Sequence, residues 1–175
     1  MMRKIVLSIL VENTSGVLSR VSGLFSRRGY NIDSFSAGVT ADSRITRMTI
    51  VTSGDEEILE QIEKQVEKLE EVLSVTKLDY MDSVFRELAL VKVRSDVNSR
   101  RDIFAIADIF RAKIIDVGND SVTIEITGTQ DKLEAFLSLM KSHEILELAR
   151  TGLTALSRGS ENVLEVIPLL NKRYE

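Results

Sequence analysis

The sequence predicts an α+β protein made of two successive βαββαβ units. Three observations predict it. Strand-like alternation and helix-like spacing of apolar residues follow one another in the same order twice. Glycine- and aspartate-containing turns punctuate the changes of period. A short stretch at 80–85 separates the two runs.

In the first run, Lys4–Val11 reads as a strand with Ile5, Leu7, Ile9 and Val11 on one face, and Val6 and Leu10 partly covered on the other. From Gly16 the period becomes helical. Val17, Leu18, Val21, Leu24 and Phe25 share one side, Arg27 and Arg28 suit the negative helix end, and Gly29 supplies a left-handed stop. Ile32–Thr40 and Ile45–Thr52 read as strands around an Ala41-Asp42-Ser43 turn. Gly54-Asp55 opens a second helix with the stripe Ile58, Leu59, Ile62, Val66, Leu69 and Leu73, and Val75–Asp79 closes the run as a strand. The second run repeats this. Leu88–Val93 is a strand and Ser99–Phe110 a helix. Lys113–Val117 and Val122–Thr127 form a hairpin around Gly118-Asn119-Asp120. Thr129–Met140 is a helix and Ile145–Arg150 a strand. This order is the ferredoxin-like split βαβ arrangement, present as two tandem domains. The expected division is 1–79, a linker at 80–85, a second domain at 86–159 and a tail at 160–175. In the tail, Val163, Val166, Ile167, Leu169 and Leu170 suggest a packing or partner-docking arm that Pro168 keeps from forming one long helix.

Composition narrows the function. The 175 residues carry a net charge of −4, which argues against a nucleic-acid binder. There is no cysteine and His143 is the one histidine, so thiolate and multi-histidine metal sites are excluded. No leader opens the chain and no apolar run is long enough to span a membrane, so a soluble cytoplasmic protein is expected. There is no nucleophile–base pairing signature, no phosphate-cradling glycine loop and no dinucleotide fingerprint. The carboxylates fall on helix faces at ion-pair spacing, as in Glu56, Glu60, Glu63 and Glu67 with Lys64 and Lys68. No catalytic residue and no metal ligand is assigned.

Two segments carry binding chemistry: Val11-Glu12-Asn13-Thr14-Ser15-Gly16-Val17-Leu18-Ser19-Arg20 and Gly29-Tyr30-Asn31-Ile32. A helix start offers unpaired N–H groups and the positive end of a dipole, which favours a carboxylate. Asparagine amides both donate and accept, as the ammonium and carboxylate of a free amino acid require. Asn13 also has a simpler role open to it, as a cap of the first helix, and Thr14 or Ser15 would serve equally. Asn31 reads equally as a turn residue after the helix stop. Placing the end of the first strand beside the start of the second would bring Asn13 and Asn31 together. Arg44 and Arg47 read as a solvated strand edge, and Arg100-Arg101 as an exposed pair poorly placed for the helix dipole.

Several separated motifs make the chain resemble the regulatory (small) subunit family of acetolactate synthase, or acetohydroxyacid synthase. They are the two segments above, Arg47-Met48-Thr49, Arg86-Glu87-Leu88-Ala89-Leu90-Val91-Lys92-Val93, Phe110-Arg111-Ala112-Lys113-Ile114-Ile115-Asp116-Val117, and Arg150-Thr151-Gly152 leading to Leu156-Ser157-Arg158-Gly159. Thr46 stands where many members carry serine. The resemblance implies an N-terminal ACT domain that binds a feedback inhibitor, usually valine, at a homodimer interface, and a C-terminal ACT-like domain. By motif match the ligand roles fall on Asn13, Gly16, Val17 and Asn31. It further implies a non-catalytic chain with no cofactor of its own. Its partner would be a catalytic (large) subunit that uses thiamine diphosphate, magnesium and FAD. A free-standing ACT-type sensor controlling transcription or another enzyme is the alternative. A tandem RNA-recognition protein on the same topology is disfavoured by aromatic-poor strands and acidic charge.

Overall fold

The computed structural model describes residues 3–160 and 163–172, with the side chains at 163 and 164 excepted. The chain divides into two compact units: Met1–Val84 with Leu153–Glu175, and Phe85–Gly152.

The first unit holds β1 (Arg3–Glu12), α1 (Val17–Arg28), β2 (Ile32–Val39), β3 (Ile45–Gly54), α2 (Glu56–Val66) and β4 (Val72–Leu78). Its sheet has the order β2-β3-β1-β4 and is antiparallel at every pairing. β1 lies at its centre, in unbroken register with β3 from Arg3↔Gly54 to Glu12↔Ile45. One face packs against both helices, with Ile5, Leu7, Ile9 and Val11 against Val17, Val21, Leu24, Phe25, Leu59, Ile62 and Val66. Burying each such side chain contributes about 1.5–3 kcal/mol.

α1 ends as expected. Gly29 takes φ +70°, and the Tyr30 N–H reaches back to the Phe25 carbonyl, a bond that only a left-handed residue allows. α2 starts where Asp55 accepts from the Ile58 N–H at 3.0 Å. It stops at Val66, short of the stripe through Leu69 and Leu73. The Leu69 and Val72 N–H groups bond only three residues back, and Leu73 lies in β4. Leu73 belongs to a different core, on the other face of the sheet, so its helical spacing is coincidental.

That other face is covered by the end of the chain. Leu10, Ile45 and Leu73 pack with Val166, Leu170 and the partly buried Ile167. These belong to a 3-10 turn, Val163–Val166, and α5, Ile167–Asn171, which Pro168 starts. Of the packing or partner-docking role expected of the tail, Val166, Ile167 and Leu170 take the packing one within this unit; Leu169 is exposed and the Val163 side chain is outside the described residues. Leu153 is held to β2 on both sides: its N–H donates to Ser34 Oγ and its carbonyl accepts from Ser36 Oγ, each at 2.8 Å. The second compact unit accordingly closes at Gly152, before the expected end at 159, and β9 (Thr154–Ser157) joins the first.

The second unit holds β5 (Ser83–Arg94) from Phe85 onward, α3 (Arg100–Ile109), β6 (Lys113–Val117), β7 (Ser121–Gly128), α4 (Gln130–Met140) and β8 (Ile145–Arg150). Its strand order, β6-β7-β5-β8, repeats that of the first sheet. Ala89, Val91, Val93, Val122, Ile124 and Ile126 meet Ile103, Ala107, Leu133, Phe136, Leu137 and Met140 from the helices. Glu87, 6 % exposed, sits at one end of β5 and takes two 2.8 Å hydrogen bonds from Arg150, which also reaches Glu134 at 2.8 Å. This charge-paired arrangement holds the Arg150 guanidinium proton more firmly than usual, with the Glu87 hydrogen bonds as the chief cause.

Candidate functional site

The site is built where β1 runs into α1. Asn13 directly follows the strand; its N–H donates to the Arg44 carbonyl at 2.7 Å. Its side chain does not cap α1. Nδ2 donates to the Ser43 carbonyl at 2.8 Å and Oδ1 accepts from Thr46 Oγ1 at 3.1 Å. Asn13 thus braces the β2–β3 turn and, exposed, keeps a second N–H and a lone pair for another partner. Neither Thr14 nor Ser15 caps the helix. The cap position is Gly16, at φ +86°, no side chain accepts from the first turn, and no acidic residue lies in it. A Cβ on Gly16 would meet nothing within 4 Å, so the ground before the helix start is open. The Val17 side chain, 3 % exposed, is core; only its backbone at the helix start is in position for a ligand.

Asn31 lies elsewhere. Its Nδ2 donates to Asp33 Oδ1 at 2.5 Å and its carbonyl accepts from Thr52 Oγ1 at 2.6 Å. Asn13 pairs with the Arg44–Thr46 end of β3, whereas Ile32 pairs with Thr52. β1 and β2 are both antiparallel to β3, so they run parallel to each other, and the end of one is opposite the start of the other. Six β3 residues at about 3.3 Å each put roughly 20 Å between the two asparagines. The expectation that one chain brings them together is therefore corrected by strand direction.

Three arginines expected at solvated positions are engaged. Arg44 grips Asp42 through Nε and Nη2, and this hydrogen bonding lowers the Asp42 pKa to about 2. Arg47 is half-buried and donates to Ser8 Oγ at 2.5 Å. Arg100 reaches the Gly118 and Asn119 carbonyls at 2.9 and 3.0 Å, clamping the β6–β7 turn, while Arg101 is exposed. Their sequence contexts carried no sign of these partners. His143 is half-buried in the 3-10 turn after α4. Among the described residues no cluster suits a metal ion, and no helix is long and apolar enough to cross a membrane.

Comparison with known proteins places this geometry. Residues 7–74 match the AHAS small subunit-like ACT domain, and residues 86–159 match the family described as the small subunit of acetolactate synthase. The chain is 49 % identical over 164 residues to the acetolactate synthase small subunit of Haemophilus influenzae, covering 93 % of this chain and all of that one. The chain belongs to the acetolactate synthase small-subunit family. It is 47 % identical to the probable acetolactate synthase small subunit of Archaeoglobus fulgidus, over 89 % of this chain and 97 % of that one. A crystal structure of the acetolactate synthase small subunit from Thermotoga maritima superposes with a TM-score of 0.84 at 43 % identity, over 91 % of this chain and 99 % of that chain. An acetolactate synthase small subunit is the regulatory, non-catalytic part of a thiamine-diphosphate-dependent enzyme. The two matched regions bear out the ACT and ACT-like pair that the family resemblance implied.

Proposed function

We propose that this small subunit activates its catalytic partner and confers feedback inhibition by valine, bound between two first units paired about a twofold axis. The observation that carries the reading is the open, glycine-led start of α1 beside the half-engaged amide of Asn13. There the N–H groups of the first turn, Val17 among them, hold the effector's carboxylate, and Asn13 supplies a further hydrogen bond. The ammonium needs an acceptor from another direction. β2 is an edge strand. Pairing it with its own copy about a twofold reverses the second strand, so Asn31 of the partner subunit comes to the sheet end that carries Asn13. The distance that separates the two asparagines in one chain is what such a shared site requires. Pairing would also cover an open sheet edge.

On this reading residues 1–79 bind the amino acid, the linker expected at 80–85 runs into β5 from Ser83, the second domain expected at 86–159 gives its last residues, from Leu153, to the first compact unit, and the chain holds no cofactor. Thiamine diphosphate, magnesium and FAD reside in the catalytic subunit. The test is the rate of the reconstituted complex against valine concentration. Asn13→Ala and Gly16→Asp are expected to blunt inhibition while preserving activation. If both variants stay as valine-sensitive as the parent, the cleft is misassigned.

A further inference from the structure

A separate cavity lies on the face of the first sheet turned away from α1 and α2. It has a volume of about 430 Å³, and Ser36, Arg47, Thr49, Thr154 and Leu156 are among the residues around it. That volume is in the range of small-molecule sites. No acidic side chain lines it. Thr154 and Leu156 come from β9, so the return of the chain end builds one wall.

Arg47 is the feature the proposed function leaves unused. Its guanidinium has five donors in a planar fork. Its recorded bond takes one of them, from Nη1 to Ser8 Oγ. No carboxylate stands within ion-pair distance of it among the described residues, whereas Arg20, Arg44, Arg94 and Arg150 each have one. Desolvation lowers its pKa from the usual arginine value, yet an arginine stays charged at neutral pH. A half-buried cation without a counter-ion is costly unless something supplies one. The same side chain also borders a neighbouring cavity of about 440 Å³, where Ser74 and Thr76 add hydroxyls and Glu165 adds an acid. The first cavity, with hydroxyls and no acid, suits an anion better.

We infer that this cavity binds a small oxyanion, a carboxylate or a phosphate, with the Arg47 fork as counter-charge and the Thr49 and Thr154 hydroxyls as hydrogen-bond donors, the Ser36 hydroxyl proton being already given to the Leu153 carbonyl. The site is separate from the α1 cleft: it uses the opposite face of the sheet, so its occupant does not compete directly with valine for a ligand group.

The experiment is calorimetric titration of the full chain with inorganic phosphate and, separately, with acetate. Wild type, Arg47→Gln, Arg47→Lys and Asn13→Ala are compared. Saturable binding of one probe is expected in wild type and Asn13→Ala, and the tighter probe identifies the class. Arg47→Gln is expected to weaken it by about tenfold or more, since charge-assisted hydrogen bonds are lost. Arg47→Lys keeps the charge and stem but not the fork, so a several-fold loss is expected, and this variant carries the test if Arg47→Gln does not fold. No saturation by either probe overturns the inference, as does affinity unchanged in the Arg47 variants that fold. Loss of oxyanion binding in Asn13→Ala would place the anion in the α1 cleft instead and equally overturn it.

Discussion

The two turns that lead from a central strand into a helix, residues 13–16 and 95–99, occupy equivalent places in the two units and are built in opposite ways. In the first, a glycine caps α1 and no side chain enters. In the second, the Asp96 carboxylate accepts from the Asn98 and Ser99 N–H groups at 2.9 and 2.7 Å and from Ser99 Oγ at 2.9 Å. Arg100 then fills the adjoining space and reaches the β6–β7 turn. The second turn therefore already contains its own carboxylate, where the first leaves room for one from outside. One turn is open and the other is filled, and on that contrast we assign the proposed sensing to the first unit alone.

The largest effect is expected from closing the open turn. Gly16→Asp puts a negative charge where we propose the effector's carboxylate binds and forces a φ of +86° on an L side chain. Valine inhibition of the reconstituted enzyme is expected to weaken about a hundredfold or more, from lost charge-assisted bonds together with repulsion. In the second unit, Arg150→Met strands Glu87 at 6 % exposure, and a loss of about 3 kcal/mol is expected in denaturant unfolding. Asn13→Ala removes one hydrogen bond to a charged group, and inhibition is expected to weaken about tenfold.

Asp96→Ala should lower the melting temperature and leave the valine response unchanged, because the second turn serves structure only. Its pH dependence has a definite sign. The folded Asp96 pKa is lowered, chiefly by the Ser99 N–H. Its contribution is therefore complete above the ordinary value of 3.8 and is lost as pH falls through the lower folded value. Asp42 behaves alike, losing its contribution between 3.8 and about 2. The smallest effect concerns the helix stops. α1 uses Gly29 at φ +70°, but α3 makes the same five-residue return bond with Arg111 at φ +52°. Arg111→Gly is expected to stabilise by about 0.5–1 kcal/mol, read as a small rise in melting temperature.

Most of the fold was legible because the two periods are distinct where an element has one covered face. The α1 boundaries follow from Gly16 and Gly29, and β8 from Ile145–Arg150. Legibility failed where one residue type serves two cores. Leu73 continues a helical stripe by spacing alone, and the tail's apolar residues showed a packing or docking arm without showing that Val166, Ile167 and Leu170 cover a face of the first sheet. The candidate site was legible as residue types. Its assembly was not, because strand direction is a property of topology, and that is what separates Asn13 from Asn31. Arg47 and Arg100 looked like surface charges, since sequence does not distinguish a charge facing water from one facing a turn or a cavity.

The most direct measurement is complementation between two defective chains. Asn13→Ala and Asn31→Ala subunits, carrying different tags, are mixed and the heterodimer purified. In a site shared across a twofold, one of its two clefts holds both substitutions and the other holds neither. Calorimetry is expected to find that each parent binds valine weakly, while the heterodimer binds one valine with wild-type affinity. A heterodimer no better than its parents would contradict the shared site.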